Sequence, residues 1–413
     1  MRIAFVSQPG STADLPVQRG AIQIWTHQVA RRLAKRHEVT VVLANAGGQP
    51  EVEVSEGVIY QRLAPTWADR ASLAGRLVDR HRLTRRGRPF FASRWWYPGY
   101  TRRMMTALRG FSPDVVHVMN FPHLAAQAKK AVPEAEIVLH MHAEWLSELD
   151  ERVVRPAATA ISAAVACSPY ITEAILMRFP KLHAETLPNG VDMKQFTVSY
   201  GEAERNDVLF VGRLSPEKGL HVLIPAFASI AETHPTARLV LVGAESKAAP
   251  DFLDPARSDA AVTALRPYYK GAYVQRLREL VPSSLRERVQ FVGPLPHAEV
   301  GRRIHQATIV VMPSIRETFG MPALEAIASG IPVVASDVGG LSALVQDRKT
   351  GRLVPRNDQG ALAAALDEIL AGPDWLDRLP ERGQAWAASY DWKPITERTE
   401  ALYQHIRGRN YDL

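Results

Sequence analysis

Short apolar runs alternate with helical segments along nearly the whole sequence, and this alternation restricts the chain to an α/β fold. In the second half, the pattern predicts strands at Val208–Val211, Leu239–Val242, Val289–Val292, Ile309–Met312, Val333–Ala335 and Arg352–Val354. Three of these runs end in a Val-Gly step, at Gly212, Gly243 and Gly293. Glycine lets the backbone come close to a ligand, and the carboxyl ends of parallel strands share one edge of a sheet. We therefore predict a doubly wound parallel sheet that binds its ligand at this edge.

The first half follows the same pattern and begins with a strand, a loop and a helix. Arg2–Ser7 is predicted as the strand, and the helix starts near Gly20 and reaches about Arg36. Further strands are predicted at Glu38–Leu43, Val58–Leu63, Val115–Met119, Ile137–Met141, Ala163–Cys167 and about Glu185–Leu187. Gly20 either brings the backbone close to a ligand or caps the helix, and the sequence leaves both roles open.

The length of 413 residues suits two domains rather than one. An Asn-Gly turn at Asn189 and a polar run that ends at Asn206 separate the two halves. We therefore predict an N-terminal domain over 1–192, a linker over 193–206, a C-terminal domain over 207–385 and a terminal helix over 386–413.

Composition indicates the cellular compartment and the class of binding partner. The net charge of +7 favours anionic partners, and the single cysteine, Cys167, excludes an internal disulfide and suits a reducing compartment. No apolar run reaches the roughly 18 residues of a transmembrane helix, and the apolar run at the N-terminus is too short for a signal peptide. We expect a cytoplasmic protein.

The stretch 313–336 contains two carboxylates around a predicted helix N-terminus. Glu317 and Glu325 are separated by Gly320 and Pro322, and Pro322 fits the first turn of a helix. The backbone N–H groups at such a terminus bind anions, and carboxylates accept hydrogen bonds from hydroxyls. A ligand with both groups, such as a sugar nucleotide, would suit this stretch.

Other polar side chains also follow predicted strands. Arg213 and Lys218 come directly after the Val208 strand, and together they could pair with a diphosphate. His142 follows the Ile137 strand and could donate a hydrogen bond to a hydroxyl or a phosphate; a structural role is the alternative.

The segment from Arg62 to Arg103 is strongly basic, with eleven arginines and two acidic residues. Trp95, Trp96 and nearby tyrosines follow its most basic part. Such a segment could contact an anionic membrane surface or a charged acceptor. The alternative is a solvated helical insertion whose aromatic side chains pack on the domain. No nucleic-acid motif accompanies the segment, so we expect no nucleic acid as a partner.

Four stretches carry a resemblance to a known family. VGRLSPEKG (211–219), RVQFVGPLP (288–296), PSIRETFGMPALEAIASGIPVVAS (313–336) and TGRLVP (350–355) match in order and spacing. With the Glu-x7-Glu pattern at Glu317 and Glu325, the sequence resembles the retaining glycosyltransferases of family 4. The resemblance implies the GT-B fold, in which two Rossmann-like doubly wound parallel-sheet domains face each other across a cleft. It also implies that the terminal helix crosses back to the first domain.

The resemblance also implies roles for individual residues. Arg213 and Lys218 would neutralise the donor diphosphate. Glu317 and His142 would contact the transferred sugar, and Glu325 would bind the ribose hydroxyls. We expect Arg213, Lys218, Glu317 and His142 to be catalytic. The expected donor-binding residues are Gly20, Gly212, Arg213, Lys218, Gly243, Val292, Leu295, Glu317, Thr318, Phe319, Gly320, Met321 and Glu325.

By this resemblance, the chain would transfer a hexose from a UDP- or GDP-linked sugar to a hydroxyl of a glycan, a glycolipid or another acceptor. Transfer would retain the anomeric configuration, would need no metal or cofactor, and would serve the synthesis of surface polysaccharide or glycoconjugates. Peripheral contact with an anionic membrane at its inner face is an additional expectation.

Three alternatives remain at this point. Glu317 and Glu325 could be a glycosidase pair, although a hydrolase would not need the phosphate-binding features. A sugar-nucleotide epimerase has two similar domains, and a non-catalytic coat or scaffold protein could keep the fold. The sequence departs from the family where Ala21 and Ala343 replace a frequent glycine and a frequent glutamate.

Overall fold

The computed structural model describes residues 1–15, 17, 20–75, 79, 84–196, 206–246 and 250–408. The chain divides into two compact units. The N-terminal unit comprises Met1–Asn189, Ala249–Ser258 and Trp392–Leu413, and the C-terminal unit comprises Gly190–Ala248 and Asp259–Asp391. Each unit is built around one sheet with helices packed on it, which confirms the predicted α/β class.

The N-terminal unit contains an eight-stranded sheet in the order β3-β4-β2-β1-β5-β6-β7-β8. Its strands are β1 Arg2–Val6, β2 Glu38–Ala44, β3 Val52–Ser55, β4 Val58–Leu63, β5 Val115–Met119, β6 Glu136–Met141, β7 Ala163–Ala166 and β8 Ala184–Thr186. All neighbouring strands are parallel except β3 and β4, which form an antiparallel pair. The seven predicted strands are confirmed, whereas β3 was not predicted.

Helices of this unit lie at Ala21–Leu33, Trp67–Ser72, Pro98–Phe111, Pro122–Ala131, Trp145–Glu148, Glu151–Ala158, Pro169–Arg178, Pro250–Leu253 and Trp392–Gly408. The first of them buries Trp25, Val29 and Leu33, which the three- and four-residue spacing places on one face. The last helix contributes Tyr403 and its neighbours to the same apolar core as Trp25.

The C-terminal unit contains a six-stranded, fully parallel sheet in the order β11-β10-β9-β12-β13-β14. Its strands are β9 Asp207–Val211, β10 Arg238–Val242, β11 Val289–Gly293, β12 Ala307–Met312, β13 Val333–Ser336 and β14 Gly351–Val354. Its helices are Met193–Phe196, Leu220–Ile230, Ala260–Ala264, Tyr273–Glu279, His297–Gln306, Met321–Ala328, Gly340–Leu344, Gln359–Leu370 and Leu379–Ala387. All six predicted strands are present.

Each sheet has a topological switch point, where the strand order reverses direction. In the C-terminal unit β9 neighbours both β10 and β12, and in the N-terminal unit β1 neighbours both β2 and β5. Loops that leave the carboxyl ends of such strands form the ligand edge of an open α/β sheet. In the C-terminal unit these are the loops that contain Arg213 and Glu317.

The predicted linker over 193–206 begins with the short helix Met193–Phe196, and its residues 197–205 lie outside the described residues. In the basic segment, Trp96 and Tyr100 are buried, whereas Trp95 is 60% exposed. Cys167 is buried. No helix among the described residues is long and apolar enough to cross a membrane.

Candidate active site

An ion pair joins the two loops at the switch point of the C-terminal unit. Nζ of Lys218, after β9, lies 2.5 Å from Oε2 of Glu317, after β12. Both side chains are largely buried, with exposed fractions of 14% and 11%. Oε1 of Glu317 accepts a hydrogen bond from the N–H of Thr318 at 3.2 Å. The pair therefore lies where the fold places ligands.

Arg213 lies in the same loop as Lys218, after β9, and is held there by Glu217. Nη2 of Arg213 donates to Oε1 of Glu217 at 2.8 Å, and the Ser215 hydroxyl donates to the same oxygen at 2.7 Å. The Tyr269 hydroxyl donates to Oε2 at 3.0 Å. Glu217 is buried and the Arg213 side chain is 44% exposed, so this network holds the guanidinium of Arg213 while part of the side chain remains at the surface of the unit.

The backbone holds these two loops together. The N–H of Ile315 donates to the carbonyl of Glu217 at 2.8 Å. Gly219 has a φ of +72°, and a Cβ there would lie 1.9 Å from the carbonyl oxygen of Pro313. Only glycine fits such an approach, so the Lys218 loop and the Glu317 loop are fixed against each other.

The Glu317 loop leads into the N-terminus of the helix Met321–Ala328. Gly320 is the N-cap, with a φ of +99° that favours glycine. The N–H of Gly340 donates to the carbonyl of Glu317, and a Cβ at Gly340 would lie 2.3 Å from the carbonyl oxygen of Thr318. Phe319 is buried, which anchors the loop. The predicted helix is confirmed, and Gly330 follows its C-cap Ser329 with a φ of +69°.

Glu325 lies on the second turn of that helix and pairs with a histidine. Nε2 of His297 is 2.8 Å from Oε1 of Glu325, and the Glu325 side chain is 5% exposed. The hydrogen bond to Glu325 raises the pKa of His297 above its ordinary value, against the opposing effect of burial. His297 follows β11, after the half-buried Val292 and Leu295.

Gly212 and Gly243 directly follow the neighbouring strands β9 and β10. The N–H of Gly212 donates to the carbonyl of Val242 at 3.0 Å. A Cβ at Gly243 would lie 1.7 Å from the carbonyl oxygen of Gly212. The Val-Gly steps therefore allow the strand ends to pack closely, and they stand at the edge that also carries Arg213 and Lys218.

In the N-terminal unit, His142 follows the end of β6. Its ring stacks on His140 at 4.3 Å between centroids, and its backbone N–H donates to Oδ1 of Asn120 at 2.5 Å. Nε2 is buried and has no hydrogen-bond partner among the described residues. Burial lowers the pKa of His142 to about 3, so the imidazole is neutral at physiological pH.

Hydrogen bonds continue from His140 into the core of this unit. His140 Nδ1 and His117 Nε2 are 3.1 Å apart, and His117 Nδ1 is 2.6 Å from the Tyr403 hydroxyl.

Gly20 is the N-cap of Ala21–Leu33, with a φ of +81°. The structure thus accounts for Gly20 as a helix cap, while its role toward a ligand stays a prediction.

Most of the predicted donor-binding residues thus lie at one edge of the C-terminal sheet, and Gly20 and His142 belong to the other unit. Sequence reasoning missed two residues, Glu217 and His297. Glu217 lies inside the SPEKG stretch between two predicted cations, and His297 follows the end of a predicted strand. Both could therefore have been recognised as candidate site residues by their positions in the sequence. Among the described residues, no group of three or more His, Cys, Asp or Glu could hold a metal ion.

Comparison with known proteins agrees with this architecture. Residues 22–195 match the family Glycosyltransferase Family 4, and residues 193–386 match the family Glycosyl transferases group 1. Spore coat protein SA of Bacillus subtilis is 25% identical, over 98% of this chain and all of its own length.

Two solved structures share the fold over nearly the full length. A sucrose-phosphate synthase from Thermosynechococcus elongatus is 25% identical, with a TM-score of 0.73 over 99% of each chain. The Anabaena protein HepE, in complex with UDP, is 20% identical, with a TM-score of 0.69 over 98% of this chain and 100% of its own, which shows the fold alone.

The fold and the two adjoining family matches define an enzyme of the glycosyltransferase class with the GT-B fold. The chain belongs to the glycosyltransferases that join a family 4 N-terminal domain to a group 1 C-terminal domain. The family and the enzyme class predicted from the sequence are confirmed.

Proposed function

We propose that the protein transfers a hexose from a nucleoside diphosphate sugar to a hydroxyl of an acceptor, with retention of anomeric configuration. The Lys218–Glu317 pair at the switch point is the observation that carries this proposal. In this pair the Lys218 ammonium, which would bind the diphosphate, is in hydrogen-bond contact with the Glu317 carboxylate, which would bind the sugar hydroxyls.

The chemistry requires stabilisation of a leaving group. The bond between the anomeric carbon and the diphosphate oxygen breaks, and its electron pair leaves with the diphosphate. Arg213, Lys218 and the N-terminus of Met321–Ala328 supply positive charge for this developing anion, which is electrostatic catalysis by prearranged groups. The acceptor oxygen bonds to the same carbon on the face of the leaving group, and its proton passes to the departing phosphate. No metal is needed in this scheme.

The N-terminal unit is proposed to bind the acceptor, and His142 to contact the transferred sugar. The unpartnered Nε2 of His142 and the neutral state of its ring support a hydrogen-bonding role rather than a charged one. We further propose that the acceptor is a glycan or a glycolipid, that the product enters surface polysaccharide or glycoconjugates, and that the protein is cytoplasmic.

Two exposed tryptophans support a peripheral contact with the inner face of an anionic membrane. Trp67 is 83% exposed and Trp95 is 60% exposed. The guanidinium of Arg94 lies 4.9 Å from the Trp95 ring. Tryptophans beside arginines suit the boundary between lipid headgroups and acyl chains.

The experiment is a binding and transfer assay in the presence of EDTA. Thermal unfolding is measured with UDP, GDP, ADP and TDP, and the corresponding sugar conjugates are then tested for hexose transfer. A ligand at about 100 times its Kd stabilises the folded chain by about 2.7 kcal/mol, which is readily detected. The anomeric configuration of the product is read by NMR. No stabilisation by any nucleotide, or inversion in the product, would contradict the proposal.

A further inference from the structure

The hydrogen bond between His297 and Glu325 connects two helices at the ligand edge of the C-terminal unit. His297 is the first residue of His297–Gln306, and Glu325 lies within Met321–Ala328. These helices pack against each other, and Nε2 of His297 lies 2.8 Å from Oε1 of Glu325. Both residues lie in helices and outside the sheet, so their hydrogen bond concerns the candidate site rather than the pairing of strands.

The contact restrains a side chain that would otherwise rotate freely. A glutamate side chain has three rotatable bonds, and fixing it when a ligand binds has an entropic cost. His297 holds Oε1, whereas Oε2 accepts no hydrogen bond from the described residues. A carboxylate offers about four lone-pair positions, so the held side chain still has room for hydroxyl donors.

The imidazole is itself held in place. The ring of Phe196 lies 5.7 Å from the His297 ring, edge-on, and Phe196 is buried. Asp192 adds negative charge nearby and, with Glu325, favours the protonated imidazole, whose hydrogen bond to a carboxylate is charge-assisted. His297 thus has a fixed position and a strong partner, although 27% of its side chain is exposed.

We propose that His297 is a positioning residue for the donor nucleoside: it holds Oε1 of Glu325 so that Oε2 accepts the ribose hydroxyls. This inference rests on the proposed function, because it assumes a nucleoside diphosphate donor whose ribose meets Glu325. His297 does not take part in the transfer step, so its effect concerns recognition of the ribose and the affinity for the donor.

The test compares nucleotides that differ only in the 2′-hydroxyl. Calorimetry gives the Kd of each ribonucleotide and its 2′-deoxy form: UDP and 2′-deoxy-UDP, GDP and 2′-deoxy-GDP, ADP and 2′-deoxy-ADP. A hydrogen bond to a charged group corresponds to about tenfold to a hundredfold in affinity, so the wild type should prefer the ribose form by that factor. In His297→Ala the preference should fall below about threefold, because the affinity for the ribose form drops and that for the deoxy form hardly changes.

Two further variants distinguish loss of the hydrogen bond from a general effect of changing this helix. His297→Gln keeps an N–H donor and should restore part of the preference, which loss of packing alone would not explain. Arg302→Gln is the matched control, since Arg302 lies on the same helix in a surface ion pair with Glu299. It should retain the full preference of the wild type.

The outcomes separate this inference from the proposed function. Failure of the wild type to bind any nucleoside diphosphate would overturn the proposed function and the positioning role with it. Binding by the wild type with an unchanged ribose preference in His297→Ala, or with equal weakening of both nucleotide forms, would overturn the positioning role alone. If His297→Ala does not fold, His297→Leu gives the same decision, because it removes the hydrogen bond and keeps an apolar side chain of similar size against Phe196.

Discussion

The ammonium nitrogen of Lys218 lies 2.5 Å from Oε2 of Glu317, and this contact joins the loops after β9 and β12. These strands are neighbours at the point where the strand order of the C-terminal sheet reverses. Ligands of open α/β sheets bind at this edge, so the charge of Lys218 would lie next to a bound ligand. The pair gives Lys218 a fixed position before any ligand arrives.

Replacing Lys218 by Ala should lower kcat about a hundredfold to a thousandfold, because one preorganised charge on the leaving group is lost. Glu317→Ala should lower transfer strongly as well. Initial rates of hexose transfer at saturating donor measure both effects. Lys349→Ala, a change at an exposed lysine of the same unit, serves as the control and should keep the wild-type rate. Near-normal rates in Lys218→Ala or in Glu317→Ala would contradict the role assigned to that residue.

Glu217→Ala should destabilise the C-terminal unit and weaken transfer together. The buried Ser215 hydroxyl and the half-buried Tyr269 hydroxyl both lose their acceptor, and a buried hydroxyl left unsatisfied costs about 1–3 kcal/mol. Urea unfolding and transfer rates would be measured side by side. Tyr269→Phe removes only one donor, so it should have a smaller effect on both quantities. Equal effects of the two changes would show that Glu217 does not connect these groups.

Gly243→Ala should disrupt the ligand edge of the C-terminal sheet. The added Cβ would lie 1.7 Å from the carbonyl oxygen of Gly212, so the ends of β9 and β10 would have to separate. We expect a loss of several kcal/mol in the free energy of unfolding and loss of nucleotide binding. Gly360→Ala, in a helix where the new Cβ meets only ordinary contacts, should be neutral or stabilising by up to about 1 kcal/mol. Normal nucleotide affinity in Gly243→Ala would refute the close packing of these strand ends.

Acid should destabilise the N-terminal unit through its buried histidines. Burial lowers the pKa of His123 from its usual 6.5 to about 4. Between these two values the unfolded chain binds a proton that the folded chain does not, so stability is full above pH 6.5 and falls as the pH drops toward 4. At about 1.4 kcal/mol per pKa unit, His123 alone contributes a loss of roughly 3 kcal/mol across this window.

His123→Leu should remove that part of the pH dependence and leave stability at pH 7.5 unchanged or higher. Both ring nitrogens of His123 are buried without a partner among the described residues, so no hydrogen bond is lost. Denaturant unfolding at several pH values between 7.5 and 4.5 measures the slope. Parallel curves for the variant and the wild type would show that folding does not lower the pKa of His123.

Trp67→Ala combined with Trp95→Ala should weaken binding to vesicles that contain phosphatidylserine by at least about tenfold. Burying one large apolar side chain contributes about 1.5–3 kcal/mol, and both tryptophans are exposed in the free protein. Sedimentation with vesicles measures the partition coefficient, and neutral vesicles should bind less. Met177→Ala changes an apolar side chain that is 81% exposed elsewhere in the unit and should have no effect. Unchanged binding of the double variant would end the membrane proposal.

The regular part of the fold followed from local patterns in the sequence. Most of the parallel strands are short apolar runs, and thirteen of the fourteen strands among the described residues were predicted. β3 was missed because its sequence VEVS alternates, and Val52 and Val54 remain exposed at the edge of the sheet. Such a strand is defined by the antiparallel pairing with β4 rather than by its own composition.

The candidate site was predictable where its residues are close together in sequence and not where they are distant. Glu317 and Glu325 flank one helix N-terminus, and Lys218 follows one strand. The His297–Glu325 and Tyr269–Glu217 hydrogen bonds join residues 28 and 52 positions apart, so no local pattern could indicate them. His142 was recognisable by its position after a strand, whereas its stacking on His140 depends on the packed core.

The helix Trp392–Gly408 lies in the core of the N-terminal unit, together with residues from the first strand and the first helix. A ribosome delivers this helix only after the whole C-terminal unit has emerged. The sheet of the N-terminal unit is synthesised earlier, so part of its apolar surface stays exposed until the helix has left the ribosome. A product truncated before Trp392 would leave that surface uncovered and should be prone to aggregation.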